Sequence, residues 1–369
     1  MKHGTQHRGP GPAPGGAERA APPPPPPPAP VPGAGAPRRS RGTAAALGRM
    51  VAWRAAFAVP LLLAVTAGMF ALAKASPFDP VRQYLGDRAV VTDPAVAERI
   101  RAEWGVDRPV LEQYTAWLGN LLQGDLGESR SLHLPVGQVI AERLPWTLLA
   151  TSAAIVLMLA GSLAAGTAAA RWRGSWLDRL ITGGVLANEA APVFWLGLLA
   201  IWVFSVKLDL LPAGGLTDAA STTVEIGDLA AHMVLPVTVL AVSQSSWLVL
   251  YVRESVIGVL REDFVIGARA RGLRERTVLL RHALRSALLP FLTLLGARVP
   301  ELVTGAILVE SVFSWPGVAS ASVQAALAAD FPLLAALTLL GTLAVLGGNL
   351  LADVAYTLAD PRVRTLGVS

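Results

Sequence analysis

Six apolar stretches, each long enough to cross the hydrocarbon core of a bilayer, govern what this chain can fold into. A spanning helix takes about 20 apolar residues. The first stretch, Ala55 to Ala73, and the second, Leu144 to Ala170, hold no charge. The third, Leu180 to Val206, holds one carboxylate, Glu189, and the fourth, Leu229 to Val252, has only His232 near its start. The fifth, Ser286 to Leu308, contains Arg298 and Glu301, and the sixth, Phe331 to Ala352, is again uncharged. Pro60, Pro192, Pro236 and Pro290 fall within these runs, which membrane helices tolerate where neighbours re-satisfy the freed carbonyls. The chain is 53% hydrophobic and 15% charged, whereas soluble domains carry about 25% charge. The pattern predicts an all-α polytopic membrane protein with six transmembrane helices.

Composition also removes several function classes. There is no cysteine, which excludes disulfides, thiolate metal sites and cysteine nucleophiles. The five histidines (His3, His7, His133, His232, His282) are scattered without ligand spacing, so no metal site is expected. The +5 charge comes from arginine, and in a membrane protein its placement matters more than its sum. Nucleic acid is therefore not an expected partner; anionic membrane lipid is.

That placement alternates. Arg38, Arg39, Arg41, Arg49 and Arg54 precede the first stretch, and Arg171, Arg173 and Arg179 lie between the second and third. An arginine-rich segment follows the fourth, and Arg362 and Arg364 follow the sixth. The loop from Lys207 to Asp228 holds four carboxylates against one lysine, and Ser311 to Asp330 has no basic residue. The positive-inside rule then puts both termini in the cytoplasm. Residues 1–46 are dominated by Pro, Gly and Ala, with an unbroken proline run from Pro22 to Pro28. Such a tail cannot build a core and is expected to be a disordered cytoplasmic segment. It lacks the layout of a signal peptide.

The long first loop, residues 74–143, has its own pattern. From Leu111 apolar residues recur at Tyr114, Trp117, Leu118, Leu121 and Leu122, one face of a helix. Asp93 is placed to cap an earlier helix over Pro94–Trp104. A small folded cap on the outer ends of the spans is the expectation.

The most distinctive loop is residues 253–285, reading RESVIGVLREDFVIGARARGLRERTVLLRHALR, with eight arginines against four carboxylates. It is too long for a tight turn and carries helix formers on both sides of Gly272. Glycine accepts positive φ at no steric cost, so a short helix over roughly Glu262 to Arg271 is expected to end there and reverse. No phosphate-binding G-x-x-x-x-G-K-[ST] occurs, so the chain is not expected to hydrolyse a nucleotide. H-E-x-x-H and G-x-S-x-G are likewise missing, so no catalytic residue is assigned. A polytopic bundle with a basic helical loop points to transport, with a cytoplasmic partner on the loop.

The stretch REDFVIGARARGLRERTVLLRHALRSALLP closely resembles the cytoplasmic loop of the dipeptide/oligopeptide/nickel permease family of ABC importers. Further landmarks resemble the same family in the same order. They are GVDRPVLEQYTAWLGNLLQGDLGES, ERLPWTLLAT, APVFWLGLL, VESVFSWPG and NLLADVAYTLADPRVR. The resemblance covers about Arg49 to Arg364 and is closest to the first of the two permease subunits. It implies a type I ABC importer permease fold over residues 47–369, with an extracytoplasmic first-loop subdomain, in a bacterial plasma membrane. It further implies a second homologous permease, two ATPase subunits and an extracytoplasmic solute-binding protein as partners. The chain itself is then not an enzyme and binds no cofactor, ATP being used by the partner subunits. The cargo implied is a di- or oligopeptide, or a related small solute such as nickel.

The resemblance also assigns residues. Glu262, Asp263, Ala268, Arg269, Ala270, Arg271, Gly272, Leu273 and His282 fall in the loop that the family seats in a groove of the ATPase. The wider superfamily has E-A-A before the glycine; here Ile266 and Gly267 replace the Glu and first Ala, and Arg285 replaces a later proline. The contact attributed to that glutamate is not transferred to Ile266. Glu310, Trp315, Pro316 and Gly317 fall near the family's external gate. Glu189, Gln244, Arg298 and Glu301 are candidates for the translocation path, because charges inside a bilayer face its interior or a watery cavity. Arg298 and Glu301, three apart, are equally placed to form a structural pair. The rival reading is a self-sufficient ion-coupled carrier with Glu189 or the Arg298–Glu301 pair relaying protons. It usually brings an internal repeat, which the sequence does not show.

Overall fold

A computed structural model of the chain describes residues 41–77, 79–85, 93–218, 224–284 and 299–359. The chain divides into two units, Met1–Gly42 and Thr43–Ser369; of the first, only residues 41 and 42 are described. The Pro-rich tail thus lies outside the described residues, as do residues 286–298 with Arg298. Among the described residues the regular elements are helical, apart from an isolated bridge between Glu128 and Pro135.

Among the described residues four helices are long and apolar enough to cross a membrane. They are α1 (Arg41–Ala75), α5 (Val136–Arg171), α8 (Ile226–Ser243) and α14 (Phe331–Ala359). Among the described residues a fifth crossing is present only if α6 (Trp176–Ala190) and α7 (Val193–Ala200, continuing as a wider π-type turn to Lys207) count as one. The third expected stretch is therefore not a straight helix but a pair bent by 110°. Pro192 is the cause. It lacks an N–H and forces the preceding residue out of the helical region, and Ala191 is extended at φ −91°, ψ 129°. The fourth stretch is also interrupted, between α8 and α9 (Ser246–Val259). There the Ser243 and Ser245 hydroxyls donate to the carbonyls of Leu240 and Val242, at 3.0 and 2.8 Å. These local bonds compete with continuation of the ladder. A single turn, α11 (Glu275–Thr277), continues as a π-type segment to Ala283. Of the fifth stretch, only the end is described, as part of α12 (Val299–Val312).

The centre of the bundle is α5. Ser162, Gly166 and Ala170 recur every fourth residue along it and are buried, the small-residue face that lets membrane helices approach closely. A Cβ at Gly166 would meet the Val249 carbonyl oxygen and Val252 Cβ, both at 2.7 Å, so the α5–α9 crossing depends on that glycine. Toward the start of α5, Ala154 and Met158 pack with Leu235, Leu240, Phe313 and Trp315. By contrast α1 stands at the rim, with Trp53, Phe57, Val59 and Leu61 exposed, as lipid-facing side chains are.

The first loop carries α2 (Pro80–Leu85), α3 (Pro94–Trp104) and α4 (Val110–Leu122). Asp93 caps α3 as its spacing predicts, accepting from the Ala95 N–H at 2.9 Å. Tyr114 and Trp117 of α4 pack their rings on Phe70 of α1, and the Tyr114 hydroxyl donates to the Leu63 carbonyl at 3.2 Å. The end of the loop is tied to α14 by Asp330, which is fully buried. Its carboxylate accepts from Ser129 Oγ (2.6 Å), Ser131 Oγ (2.8 Å) and the Ser131 N–H (2.9 Å). The other oxygen accepts from the Leu333 N–H at 3.3 Å, capping α14.

Candidate functional site

The residues singled out by sequence fall in three places, each built by a different local rule. The first follows α9. Glu262 is extended, and α10 runs from Asp263 to Ala270, with Asp263 in the first turn, where the helix dipole favours a carboxylate. The helix closes with two bonds: Gly272 N–H to Arg269 O at 2.9 Å and Leu273 N–H to Ala268 O at 3.3 Å. That is the Schellman arrangement, and it holds Gly272 at φ +78°. Val265 and Ala268 are buried on the inner face with Val278, against Val259 and Leu260. Phe264, Ile266 and Leu273 are exposed, as are Glu262, Asp263, Arg269, Ala270 and Arg271. Arg269 reaches across the turn and donates to Glu275 through Nη2 (2.8 Å) and Nε (3.2 Å). This fork holds the Glu275 carboxyl below its usual range. The outcome is a two-turn helix with a sealed underside, flanked on its two sides by the exposed Phe264 and Ile266, with Arg269 and Arg271 beside them. The side chain of His282 lies outside the described residues.

Sequence reading missed a further pair. Arg253, midway along α9, donates through Nε and Nη2 to the two oxygens of Asp178 in the first turn of α6, at 2.7 and 2.9 Å. Asp178 also accepts from the Gly174 N–H at 2.8 Å. The pair locks the α5–α6 turn to the middle of α9 across 75 residues of sequence.

The second place is the corner between α12 and α13 (Val318–Leu327). Glu310 is buried and accepts from Thr147 Oγ1 at 2.6 Å and from the Ser320 N–H at 2.9 Å. It thereby serves as the N-terminal anion of α13 from ten residues upstream. Thr147 Oγ1 in turn accepts from the Val318 N–H at 2.8 Å. Trp315 is buried, and its indole N–H donates to the Trp146 carbonyl at 3.1 Å. Gly317 has φ −91°, so its backbone is ordinary. What requires glycine is space, since a Cβ there would lie 2.2 Å from Glu310 Oε1. Pro316 sits between them in the turn.

The third place is where the two broken stretches meet. Asn188, near the end of α6, donates through Nδ2 to the Val242 carbonyl at 2.9 Å and to Ser246 Oγ at 2.7 Å. It thus adds a donor from α6 to a carbonyl that already accepts from the Ser245 N–H and hydroxyl at the α8–α9 break. Glu189 beside it is exposed. Gln244, at the break itself, lies against α12: a Cβ on Gly305 would come within 3.0 Å of its Nε2. The side chain of Glu301, like Arg298, lies outside the described residues.

Residues 142–365 match the family described as binding-protein-dependent transport system inner membrane component, and residues 47–151 match its N-terminal membrane component. Among curated relatives, an oligopeptide transport system permease protein of Bacillus subtilis is 36% identical over 315 residues, covering 84% of this chain and 97% of the relative. A di/tripeptide transport system permease protein of Pseudomonas aeruginosa is 36% identical over 332 residues, covering 85% of this chain and 98% of the relative. An all-helical, multi-pass bundle whose whole membrane part aligns with such relatives leads to one conclusion. The chain belongs to the binding-protein-dependent transport system inner membrane component family and is a permease subunit of such a system.

Proposed function

We propose that this permease passes di- or oligopeptides inward across the bacterial plasma membrane, driven by ATP hydrolysed on two separate subunits that engage α10. The observation that carries this reading is the outer face of α10. Phe264, Ile266 and Leu273 are exposed around a sealed inner face, and three large apolar side chains held in water beside Arg269 and Arg271 suit a protein groove better than solvent. Arg269, Arg271 and the turn at Gly272 set its angle, with Glu262, Asp263, Ala268 and Ala270 completing the helix. Because α10 follows directly on α9, and Asp178 and Arg253 tie α9 to α6, a push on α10 reaches the bundle through α9.

In this reading the full permease has six spans with both termini cytoplasmic, residues 1–46 forming a tail and residues 74–143 an extracytoplasmic subdomain. A second homologous permease completes the pathway, which runs past the breaks at Asn188 and Gln244; half-helix ends meeting within the membrane are where transporters place their cargo. Glu189, Arg298 and Glu301 would line it. Glu310, Trp315, Pro316 and Gly317 form the external gate, against which a solute-binding protein delivers cargo. The names of the relatives favour peptide over nickel. The test is Gly272→Pro or Gly272→Val in cells carrying the partner subunits. Uptake is expected to vanish while the chain still inserts in the membrane at normal levels, and normal uptake would refute the coupling role.

A further inference from the structure

Three side chains converge between the end of α7 and the start of α8. His232, in the second turn of α8, is 2% exposed. Its Nδ1 lies 3.0 Å from the Gly214 carbonyl oxygen. A carbonyl only accepts, so Nδ1 carries the hydrogen and the neutral ring presents a bare lone pair at Nε2. That Nε2 is buried without a hydrogen-bond partner. It faces Asp218 Oδ1 and Asp228 Oδ1, each at 3.5 Å, and the three donor atoms all lie within 4.8 Å of one another. Asp228 shares a face of α8 with His232, one turn earlier. The Asp218 N–H donates to Asp228 Oδ2 at 3.3 Å, which leaves Oδ1 of Asp228 turned toward the histidine.

We propose that Asp218, Asp228 and His232 bind one divalent cation of the zinc class. Donors about 2.1 Å from a tetrahedral zinc stand about 3.4 Å apart, and both histidine–carboxylate separations are 3.5 Å. Donation of the remote ring N–H to a backbone carbonyl is the outer-shell arrangement that fixes a metal-binding imidazole. One imidazole nitrogen among three donors disfavours calcium and magnesium, which take oxygen. Asp218 is exposed, so the fourth position opens to solvent and a water completes the shell.

The ion would brace a loop. Gly214, which holds His232, is pressed on the α12–α13 corner: a Cβ there would sit 2.2 Å from the Phe313 carbonyl oxygen, and the Gly215 N–H donates to that oxygen at 2.9 Å. Metal at Asp218 would therefore pin the α7–α8 loop across the corner containing Glu310 and Trp315. A proton on Nε2 bridging the two carboxylates is the competing occupant of the same space.

The test uses the full chain purified in detergent, stripped with EDTA and titrated with Co2+ and then Zn2+. One Co2+ per chain is expected, with the intense visible bands of a low-coordinate nitrogen–oxygen site, displaced by Zn2+. The thermal midpoint should rise with Zn2+, since a ligand of the folded state stabilises it. Asp218→Asn changes an exposed side chain and leaves the fold intact; it should weaken binding by more than about tenfold, the loss caused even by outer-shell changes. Asp228→Asn and His232→Gln should remove it. Absence of Co2+ uptake at micromolar concentrations would overturn the proposal in favour of the proton bridge. Uptake unchanged in Asp218→Asn and Asp228→Asn would overturn it too, placing the ion elsewhere on the chain.

Discussion

Gly272 and Gly317 both stand in turns at helix ends, yet glycine is needed for opposite reasons. Gly272 has φ +78° and nothing within 4 Å of where a Cβ would stand. Its constraint is conformational, because an L-residue with a side chain pays to enter the left-handed region. Gly317 has φ −91°, open to any residue, but a Cβ there would lie 2.2 Å from the Glu310 carboxylate. Its constraint is spatial. A turn whose glycine has room around it is a surface turn that something else can approach. A turn whose glycine is filled by a buried carboxylate is part of the core. The α10 turn thus has the character of a docking element, and the α12–α13 corner that of a rigid post.

The contrast breaks most readily at Gly317. Gly317→Ala should displace the Glu310 carboxylate and strip it of the Ser320 N–H, destabilising the chain by about 3 kcal/mol or more, read as a fall in the thermal midpoint of the purified permease. In a Glu310→Ala background the same substitution should cost far less, because the carboxylate that fills the space is gone; a double-mutant cycle measures that coupling. An equally large cost in both backgrounds would show that the backbone, not space, demands glycine.

Next in size is the pair that ties α6 to α9. Removing one partner of a buried ion pair costs about 3–5 kcal/mol when the other charge is stranded. Asp178→Ala should fall short of that value, because Arg253 keeps its ion pair with Glu254, while Asp178→Leu combined with Arg253→Met should cost markedly less; thermal unfolding of the single and double variants separates the two.

Gly272 should respond differently. Gly272→Val forces a β-branched residue toward φ +78°, at about 1–2 kcal/mol. The thermal midpoint should barely move while uptake is lost. Gly272→Asn should keep most uptake, because asparagine tolerates the left-handed region and meets no neighbour there; at Gly317 asparagine should fail as alanine does. Equal uptake by the Val and Asn variants at position 272 would erase the distinction.

The smallest effect concerns Glu275, which is partly exposed. Its pKa in the folded chain is lowered from 4.5, chiefly by the hydrogen bond from Arg269. A depressed carboxylate contributes stability that is complete above the unfolded value and is lost as pH falls through the folded value. Hydrogen exchange should therefore show α10 amides losing protection on acidification below about 4.5, and Glu275→Gln should flatten that dependence.

Much of this was legible in the chain. Apolar run length and arginine alternation identify a helical membrane protein, and Asp93 and Gly272 declare a cap and a stop through local chemistry alone. The straightness of the spans was not legible. Pro192 is visible, but a proline inside a membrane helix is compatible with a mild kink as well as the 110° bend it makes here. The α8–α9 break rests on serine hydroxyls that read equally well as helix surface. Glycine at 317 was noticed without its reason, since Glu310 folds back from a distance no spacing rule connects. The Asp178–Arg253 and Ser129–Asp330 ties join residues 75 and 201 apart and have no local signature. Asp228 and His232 do stand one helical turn apart, a signal hidden because the third ligand comes from a loop.

The claim that α10 faces the cytoplasm and meets the ATPase can be tested directly, because the chain has no cysteine and a single thiol reports without background. Ile266→Cys, on the exposed face of α10, should react with a membrane-impermeant maleimide only in inside-out vesicles, and a thiol–amine crosslinker should join it to the ATPase subunit of the assembled transporter. Labelling from the outer face, or a full yield of assembled transporter with no crosslink to that subunit, would contradict the account.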